Sequence, residues 1–293
     1  MIYYLIYQLG VLIFSYLPLK AAYKLAIIIS DLHYLFAKKD RGNVAANLKV
    51  IFPNKSYSEI KAIRLKMFRN FAKYLVDFFR LSKLNKENLD KFVQIENLDY
   101  LDQALAKGKG VITLAAHIGN WELAAAALAL SGYSIGIVVL PHRHKSVDDF
   151  FNSQRQKKGI IVMPLGKAVS QCLKLLHKNK IIALMGDRTF TAAGKLIDFF
   201  GLPTYLPKGP AAFSLKTGAQ IIPTFMFRNP DDKFTLKFEK PIEFTSSGDK
   251  EKDLTGLLFK CKSIIEKYIL RYPEQWFMFR KFWLENHKTE PEA

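Results

Sequence analysis

The sequence predicts an α/β fold in which a mostly parallel, mixed sheet is flanked by helices. From about residue 110, short apolar runs typical of buried strands alternate with helical segments, an order that gives parallel strands with helices on both faces. A charge-free stretch at the amino terminus predicts a membrane-anchoring helical segment in front of this fold. We therefore expect two regions: anchoring or interfacial helices over residues 1–40, and one large domain over 41–293.

The amino-terminal region holds two apolar stretches. Residues 1–19 contain no charged side chain and, at about 1.5 Å per residue, are just long enough to span a bilayer. Basic residues begin at Lys20, so we expect the bulk of the chain on the cytoplasmic side of a membrane, with single-pass or peripheral attachment. Residues 21–39 carry Lys24 and Asp31 and are expected at the membrane interface. In the alternative interpretation, both stretches are core helices.

The remaining elements follow from periodicity and turn signals. In chain order they are helix 56–84, strand 110–116, helix 121–132, strand 134–140, helix 147–158, strand 160–166, helix 168–179, strand 181–187, strand 196–201, helix 209–218, strand 219–228, edge strands within 233–244, and helix 253–271. Ligands bind beyond the carboxyl ends of strands in such sheets. His117 and Asp187 both stand at predicted strand ends, which makes them candidate site residues.

The composition restricts the partners. A net charge of +18 predicts an anionic partner such as an anionic membrane, a phosphorylated substrate or an acidic protein. No basic-aromatic pattern of a nucleic-acid-binding module is present, so nucleic acid is not expected. Cys172 and Cys261 lack metal-ligand spacing, and the sequence has neither a phosphate-binding loop motif nor a dinucleotide fingerprint. We expect no metal and no cofactor.

His117 and Glu122 form the first chemical candidate. On one continuous helix they would point about 140° apart. A strand that ends at His117, a turn through Gly119 and a helix capped by Asn120 would instead let Glu122 reach back toward the imidazole. A carboxylate on one ring nitrogen would fix the tautomer and support an imidazolium. A helix-start acid beside a core histidine is the alternative.

Arg155, Asp187 and Arg188 are further candidates. In the predicted helix 147–158, Arg155 shares a face with Phe151, and a guanidinium on an apolar side usually needs an anionic partner, for which a phosphate is well suited. An arginine stem along the core with a solvated head is equally compatible. Asp187, followed by Arg188, is alternatively a turn residue or a helix cap.

Several segments resemble the lipid A late acyltransferases, the lauroyl and myristoyl transferases of the HX4D/E glycerolipid acyltransferase group. The matching segments are "HIGNWE" (117–122), "RGNVAANLKVIFPNKSYSEI" (41–60), Arg155 within "FFNSQRQKKG", "GDRTF" (186–190), "DFFGLPTYLPKGPAAFSLKTGAQIIPTF" (198–225) and "YPEQWFMFRKFW" (272–283). They cover nearly the whole chain in order. In "GDRTF" the sequence departs from the family pattern, since an arginine stands where glutamine or histidine is more usual.

This resemblance implies transfer of a fatty acyl chain from an acyl carrier protein or CoA thioester to a hydroxyl of a phosphorylated glycolipid, a lipid A precursor, at the inner membrane. His117 would be the general base and Glu122 would orient it and balance its charge, without a covalent enzyme intermediate. Arg155, Asp187, Arg188 and Asn120 would bind substrate. Backbone amides at the helix start are expected to help hold the oxyanion.

Other functions remain open from the sequence alone. The acceptor is alternatively a phosphatidylinositol mannoside or an aminolipid, and a catalytically idle membrane-binding relative would keep the same motifs. A serine hydrolase based on "GYSIG" (132–136) is disfavoured, because Ser134 follows a predicted helix and precedes a strand, the reverse of a nucleophile elbow.

Overall fold

The computed structural model describes residues 2–189 and 194–283, with side chains from residue 7 onward in those ranges. The helices are α1 (Ile2–Tyr16), α2 (Leu19–Phe36), α3 (Lys38–Ile51), α4 (Tyr57–Phe79), α5 (Leu89–Phe92), α6 (Asp99–Leu105), α7 (Trp121–Leu130), α8 (Lys145–Gln156), α9 (Ala168–His177), α10 (Gly209–Thr217) and α11 (Lys250–Arg271). Short 3₁₀ turns lie at Leu81–Lys83, Leu165–Lys167 and Pro273–Gln275.

The strands form one large sheet and one hairpin. They are β1 (Val93–Glu96), β2 (Val111–Ala115), β3 (Ile135–Val139), β4 (Ile161–Pro164), β5 (Ile181–Met185), β6 (Lys195–Phe199), β7 (Leu202–Leu206), β8 (Gln220–Arg228) and β9 (Phe234–Phe238). The seven-stranded sheet has the order β1-β9-β8-β2-β5-β3-β4, in which only β8 and β9 pair antiparallel within the described residues. The predicted mostly parallel, mixed sheet is confirmed.

Side chains of β2 show how the sheet is buried on both faces. Ile112 and Leu114 point into a core shared with α9, α10 and α11. Val111 points to the opposite face, into a core formed with α4, α6, α7 and α8. A strand that is buried on both faces has a nearly continuous apolar sequence, which is why β2 and β5 could be predicted.

The amino-terminal helices form a separate layer against α4. Ser56 begins α4 with a capping box, in which its hydroxyl accepts from the Glu59 amide while the Glu59 carboxylate accepts from the Ser56 amide. Tyr23 and Ala26 of α2 are buried against Val76 of α4. This packing fixes the end of α4 beside the central sheet, a position that matters for the site.

The anchor over residues 1–40 stays a prediction. Helix α1 ends at Tyr16, and after Leu17 and Pro18 the chain continues as α2. Among the described residues no helix combines the length and the hydrophobicity that crossing a bilayer requires. The proposed boundary at residue 40 falls inside α3, and residues 284–293 of the predicted domain lie outside the described part of the chain.

One strand prediction needs correction. The segment 233–244 does not supply edge strands: β9 lies inside the sheet because β1 pairs with it on its outer side, and residues 239–244 form no strand. β1 has the sequence VQIE, too short and too polar for an apolar run to reveal it. The predicted strand 196–201 exists as β6, but it pairs with β7 in an antiparallel hairpin outside the main sheet.

Candidate active site

His117 and Asp187 meet at the carboxyl ends of two neighbouring strands. The parallel register pairs Ala115 of β2 with Met185 of β5, so the residues two positions further along each chain come side by side. The Nδ1 atom of His117 lies 2.8 Å from Oδ1 of Asp187. The strand-end prediction for both residues is confirmed, and the register adds that they are hydrogen-bonded to each other.

Asp187 is fully buried and accepts three hydrogen bonds. Besides the imidazole, its Oδ2 accepts from the backbone N–H of His117 at 3.0 Å and from the indole N–H of Trp276 at 3.0 Å. Burial alone would raise the pKa of Asp187, but His117 and these hydrogen bonds hold that pKa below its ordinary value. An ionised carboxylate can only accept hydrogen bonds, so the His117 Nδ1 atom must be the donor to Asp187 and must carry the ring proton. The Nε2 atom of His117 is then the basic atom of the ring.

The turn after His117 is held to two other parts of the fold by backbone hydrogen bonds. The His117 carbonyl accepts from the Phe277 amide at 2.9 Å, and the Gly119 amide donates to the Gln275 carbonyl at 2.9 Å. The Asn120 amide donates to the Met226 carbonyl of β8 at 3.1 Å. These bonds fix the height of the imidazole above the sheet.

Gly119 cannot be replaced by a larger residue in this turn. Its φ is +63°, and a Cβ placed there would lie 1.9 Å from the carbonyl oxygen of Met226. Only glycine accepts both the left-handed backbone and this close approach. The glycine in the sequence "HIGNWE" is therefore a requirement of the strand-to-helix corner.

The predicted helix cap at Asn120 is confirmed. Its Oδ1 accepts from the Leu123 amide at 3.0 Å, which begins α7. Its Nδ2 donates to Asp77 of α4 at 3.0 Å, and the side chain is buried. In the described structure Asn120 thus supports the turn, and its substrate-binding role stays a prediction.

Glu122 and Arg155 have partners that differ from those predicted. The Glu122 carboxylate accepts two bonds from the Arg155 guanidinium, Nη2 to Oε1 at 2.6 Å and Nε to Oε2 at 2.9 Å. We expected Glu122 to orient the imidazole, but Asp187 occupies that position. Arg155 was expected to bind a substrate phosphate, but its guanidinium binds the Glu122 carboxylate. Its Nη1 atom donates to the Asn152 side chain at 3.0 Å.

This ion pair is buried and forms a wall of the site. The side chains of Arg155 and Glu122 are 10% and 6% exposed. Burial would lower the pKa of Arg155, but the adjacent Glu122 raises that pKa above its ordinary value. Glu122 lies in the first turn of α7, where the helix dipole also favours a negative charge. The Arg155 guanidinium is therefore charged at neutral pH.

His117, Glu122, Arg155 and Arg188 line one cavity of about 360 Å³. Apolar side chains form the rest of its wall, from α7, β3, β5 and β8. They include Ala124, Ala125, Leu128, Ile135, Ile137, Val138, Ala183, Met185 and Phe225. A largely apolar cavity with a few convergent polar groups is the usual form of a binding site for a hydrophobic substrate.

Arg188 brings positive charge to this cavity. Burial and the nearby Arg280 guanidinium lower the pKa of Arg188 to about 10, so it stays protonated at neutral pH. Arg280 itself donates to the Thr189 carbonyl at 3.3 Å.

Among the described residues, no group of three or more His, Cys, Asp or Glu side chains is arranged to hold a metal ion.

The sequence alone did not show why Gln275 and Trp276 matter. Trp276 is fully buried and orients Asp187 through its indole, while the Gln275 side chain bonds both the amide and the carbonyl of Arg228. A usable signal existed, because a buried indole N–H normally finds an acceptor. The identity of that acceptor depends on contacts between distant parts of the chain.

The model of the bacterial lipid A biosynthesis acyltransferase family matches residues 1–285 of this chain. The chain belongs to that family. It is therefore an acyltransferase of the lipid A biosynthesis family, and the resemblance noted in the sequence is confirmed.

Curated relatives fall into two groups by name. A phosphatidylinositol mannoside acyltransferase of Mycobacterium tuberculosis strain CDC 1551 is 28% identical over 221 residues, 73% of this chain and 68% of the relative. A lipid A biosynthesis acyltransferase of Haemophilus influenzae is 25% identical over 245 residues, 82% and 74% of the two chains. A lipid A biosynthesis lauroyltransferase of Escherichia coli K12 is 22% identical over 282 residues, 94% and 88%. Family membership thus establishes acyl transfer and leaves the acceptor to further evidence.

Proposed function

We propose that this family member transfers a fatty acyl chain from an acyl carrier protein or CoA thioester to a hydroxyl of a lipid A precursor. The observation that supports this most directly is the buried hydrogen bond between Asp187 and His117, whose side chain lines a largely apolar cavity. The cavity matches the acyl chain in chemistry, and the imidazole matches the need for a base.

In the proposed reaction, Nε2 of His117 removes the proton from the acceptor hydroxyl. The hydroxyl oxygen then bonds to the thioester carbonyl carbon, the C–S bond breaks, and the sulfur leaves with a proton returned by the imidazolium. Asp187 stabilises the imidazolium while it exists, since its carboxylate accepts the hydrogen bond from the Nδ1–H group. No acyl-enzyme forms, and the nucleophile belongs to the acceptor.

The developing oxyanion needs a donor other than the amides of residues 117–120. Those amides already donate, to Asp187, to the Ala116 carbonyl, to the Gln275 carbonyl and to the Met226 carbonyl. We assign the electrostatic role to Arg188, a cation in the wall of the same cavity. The Glu122–Arg155 pair is assigned to holding α7 and α8 together around the acyl chain.

A second acceptor is supported by the comparisons. The relatives named phosphatidylinositol mannoside acyltransferases match at 27–28% identity, against 22% for the Escherichia coli lauroyltransferase. Both acceptor classes are phosphorylated glycolipids that present sugar hydroxyls. A lipid A precursor stays the first candidate because the family model spans residues 1–285 and the mannoside relatives align over a shorter part.

We also propose that α2 rests on the inner membrane surface with the site facing the cytoplasm. One face of α2 exposes Ile28, Ile29, Leu32, Leu35 and Phe36, all more than half exposed. Exposed lysines flank that face at both ends: Lys20, Lys24, Lys38 and Lys39. An apolar stripe with cations at its ends suits an anionic bilayer, because apolar side chains enter the interface and cations meet headgroups.

The function is tested with purified protein, matched acyl carrier protein and CoA thioesters, and two acceptors, a tetra-acylated lipid A precursor and a phosphatidylinositol mannoside. Mass spectrometry should show one added acyl chain on the lipid A precursor. His117→Ala should abolish it, and Ser134→Ala should not, since Ser134 precedes β3 at the opposite sheet edge. Absence of transfer from either thioester to both acceptors by folded protein would refute the proposal and leave a catalytically idle relative.

Membrane binding is tested by co-sedimentation with vesicles of phosphatidylglycerol and phosphatidylcholine. Leu32→Asp with Phe36→Asp should release the protein to the supernatant at unchanged melting temperature. Lys61→Asp, an exposed lysine on α4, is the matched control and should leave sedimentation nearly unchanged. Equal pelleting of all forms would contradict the role of α2.

A further inference from the structure

Asp77 lies in the last turns of α4, outside the cavity, and is surrounded by donors from three other parts of the chain. Its side chain is 8% exposed. Oδ1 accepts from the Tyr23 hydroxyl at 2.6 Å, and Oδ2 accepts from Asn120 Nδ2 at 3.0 Å and from Nη2 of Arg228. Asp77 therefore connects α2, α4, β8 and the turn that bears His117.

The bond to Asn120 determines which way its amide faces. A side-chain amide has one accepting and one donating end, and the start of α7 needs the accepting end. The Asp77 carboxylate also accepts from Tyr23 and Arg228, so it binds the donating end of the Asn120 amide and leaves the Oδ1 atom of Asn120 for the Leu123 amide. Asp77 thereby sets a polar contact that holds the corner immediately after His117.

Arg228 links this contact to the other side of the turn. Its amide donates to the Gln275 side chain at 2.8 Å, and the Gln275 carbonyl accepts from Gly119 at 2.9 Å. The guanidinium of Arg228 is in turn held by Asp77 and by the Tyr23 hydroxyl at 3.0 Å. Both anchors of the catalytic corner thus lead to one buried carboxylate.

We propose that Asp77 is a positioning residue for acyl transfer, which acts through Asn120 to hold the His117 corner at its working geometry. The inference rests on the proposed function, because it concerns the rate of the same reaction. Misplacement of a reacting group by about 1 Å costs roughly 100-fold in rate. A purely structural ion pair would change stability and leave the turnover of folded protein unchanged.

The test uses the full chain and compares Asp77→Ala, Asp77→Asn and Tyr23→Phe. Asp77→Ala removes the acceptor and should lower kcat at least about tenfold, with KM for the thioester changed less than about twofold. Asp77→Asn keeps one oxygen for Asn120 and turns its amide to the Tyr23 hydroxyl, so it should lose stability but keep most of kcat. Tyr23→Phe removes one hydrogen bond to Asp77 but keeps the bond between Asp77 and Asn120, so it should lower kcat less than Asp77→Ala does.

A double-mutant cycle separates positioning from general destabilisation. Asn120→Ser keeps a helix cap but is too short to reach Asp77, so Asp77→Ala should lower kcat much less in that background than in wild type. If Asp77→Ala does not fold, Asp77→Leu with Arg228→Met replaces the pair by apolar groups and takes its place. An equal loss of kcat in both backgrounds, or an equal loss for Asp77→Asn and Asp77→Ala, would overturn the proposal.

A readout without turnover distinguishes failure of this inference from failure of the proposed function. The Nδ1 proton between His117 and Asp187 should give a downfield proton resonance in the NMR spectrum. Asp77→Ala should shift or broaden that resonance, and Tyr23→Phe should perturb it less. An unchanged resonance in Asp77→Ala would overturn the positioning role even in a protein that acylates neither acceptor.

Discussion

Replacement of Asp187 by asparagine tests which acid supports the histidine. Two N–H groups, from the His117 backbone and from Trp276, point at Oδ2, and the imidazole faces Oδ1. In Asp187→Asn the amide oxygen must take the side with two donors, so the NH₂ group faces the imidazole. Nδ1 then accepts, the ring proton moves to Nε2, and the base is lost.

The expected loss in kcat is about 10⁴-fold, close to 5.5 kcal/mol, the size seen when the aspartate of a Ser-His-Asp triad becomes asparagine. Stability should change far less. Charge-assisted hydrogen bonds are lost at a cost of about 1.5–3 kcal/mol. At roughly 2.1 cal/mol/K per residue for this chain length, that lowers Tm by about 2 to 5 °C.

The measurement is single-turnover transfer from a radiolabelled acyl thioester, with Tm by differential scanning fluorimetry beside it. Glu122→Gln is the matched comparison, since it makes the same chemical change in the other acid of the site. If Asp187→Asn keeps more than about a tenth of the rate, the assignment of Asp187 is wrong. A greater loss in Glu122→Gln than in Asp187→Asn would return the orienting role to Glu122.

Three further predictions concern stability. Glu122→Ala leaves the buried Arg155 without its carboxylate and should lower the free energy of unfolding by about 3–5 kcal/mol, and Tm by about 5 to 8 °C. Glu122→Leu with Arg155→Met should recover most of that loss. A Tm unchanged by Glu122→Ala would contradict the ion pair. Gly119→Ala should lower the free energy of unfolding, measured with denaturant, by roughly 3 kcal/mol or more. Gly108→Ala, at φ +72° with open space around it, should lower it by about 1 kcal/mol. Because the pKa of Asp187 is lowered on folding, its contribution is present above the unfolded pKa of about 3.9 and is lost as pH falls through the folded value. The Tm advantage of wild type over Asp187→Asn should therefore be constant above about pH 5 and shrink below about pH 4; an advantage that grows in acid would contradict this sign.

The sequence predicted the strand ends but not the pairing between them. His117 and Asp187 each follow an apolar run, and that local pattern was sufficient to place both at the ligand-binding edge. Whether β5 or another strand lies beside β2 is decided by packing across the whole sheet. Glu122 looked like the partner of His117 because it was near in sequence, whereas Asp187 comes from a distant strand.

Arg155 is a second example in which the sequence indicated a need for a partner but not the partner itself. Its position on an apolar face correctly indicated that the guanidinium needs an anion, and the anion is Glu122 of α7. Helix α8 and the start of α7 are separated by β3, so no local spacing links the two residues. Buried charges can be recognised from a sequence, but their pairing needs the tertiary contacts.

The two acids of the site, Glu122 and Asp187, have different surroundings. The Glu122 carboxylate receives two N–H groups of a permanent cation, so its charge is already balanced before the reaction begins. Asp187 receives the imidazole, a backbone amide and an indole, and gains a cationic partner only when His117 takes a proton. The attraction between Asp187 and His117 would therefore rise along the proposed reaction, which is the condition for lowering the barrier. Glu122 offers no such increase while Arg155 holds it, and this is why we assign the histidine's support to Asp187 and the shape of the cavity to Glu122.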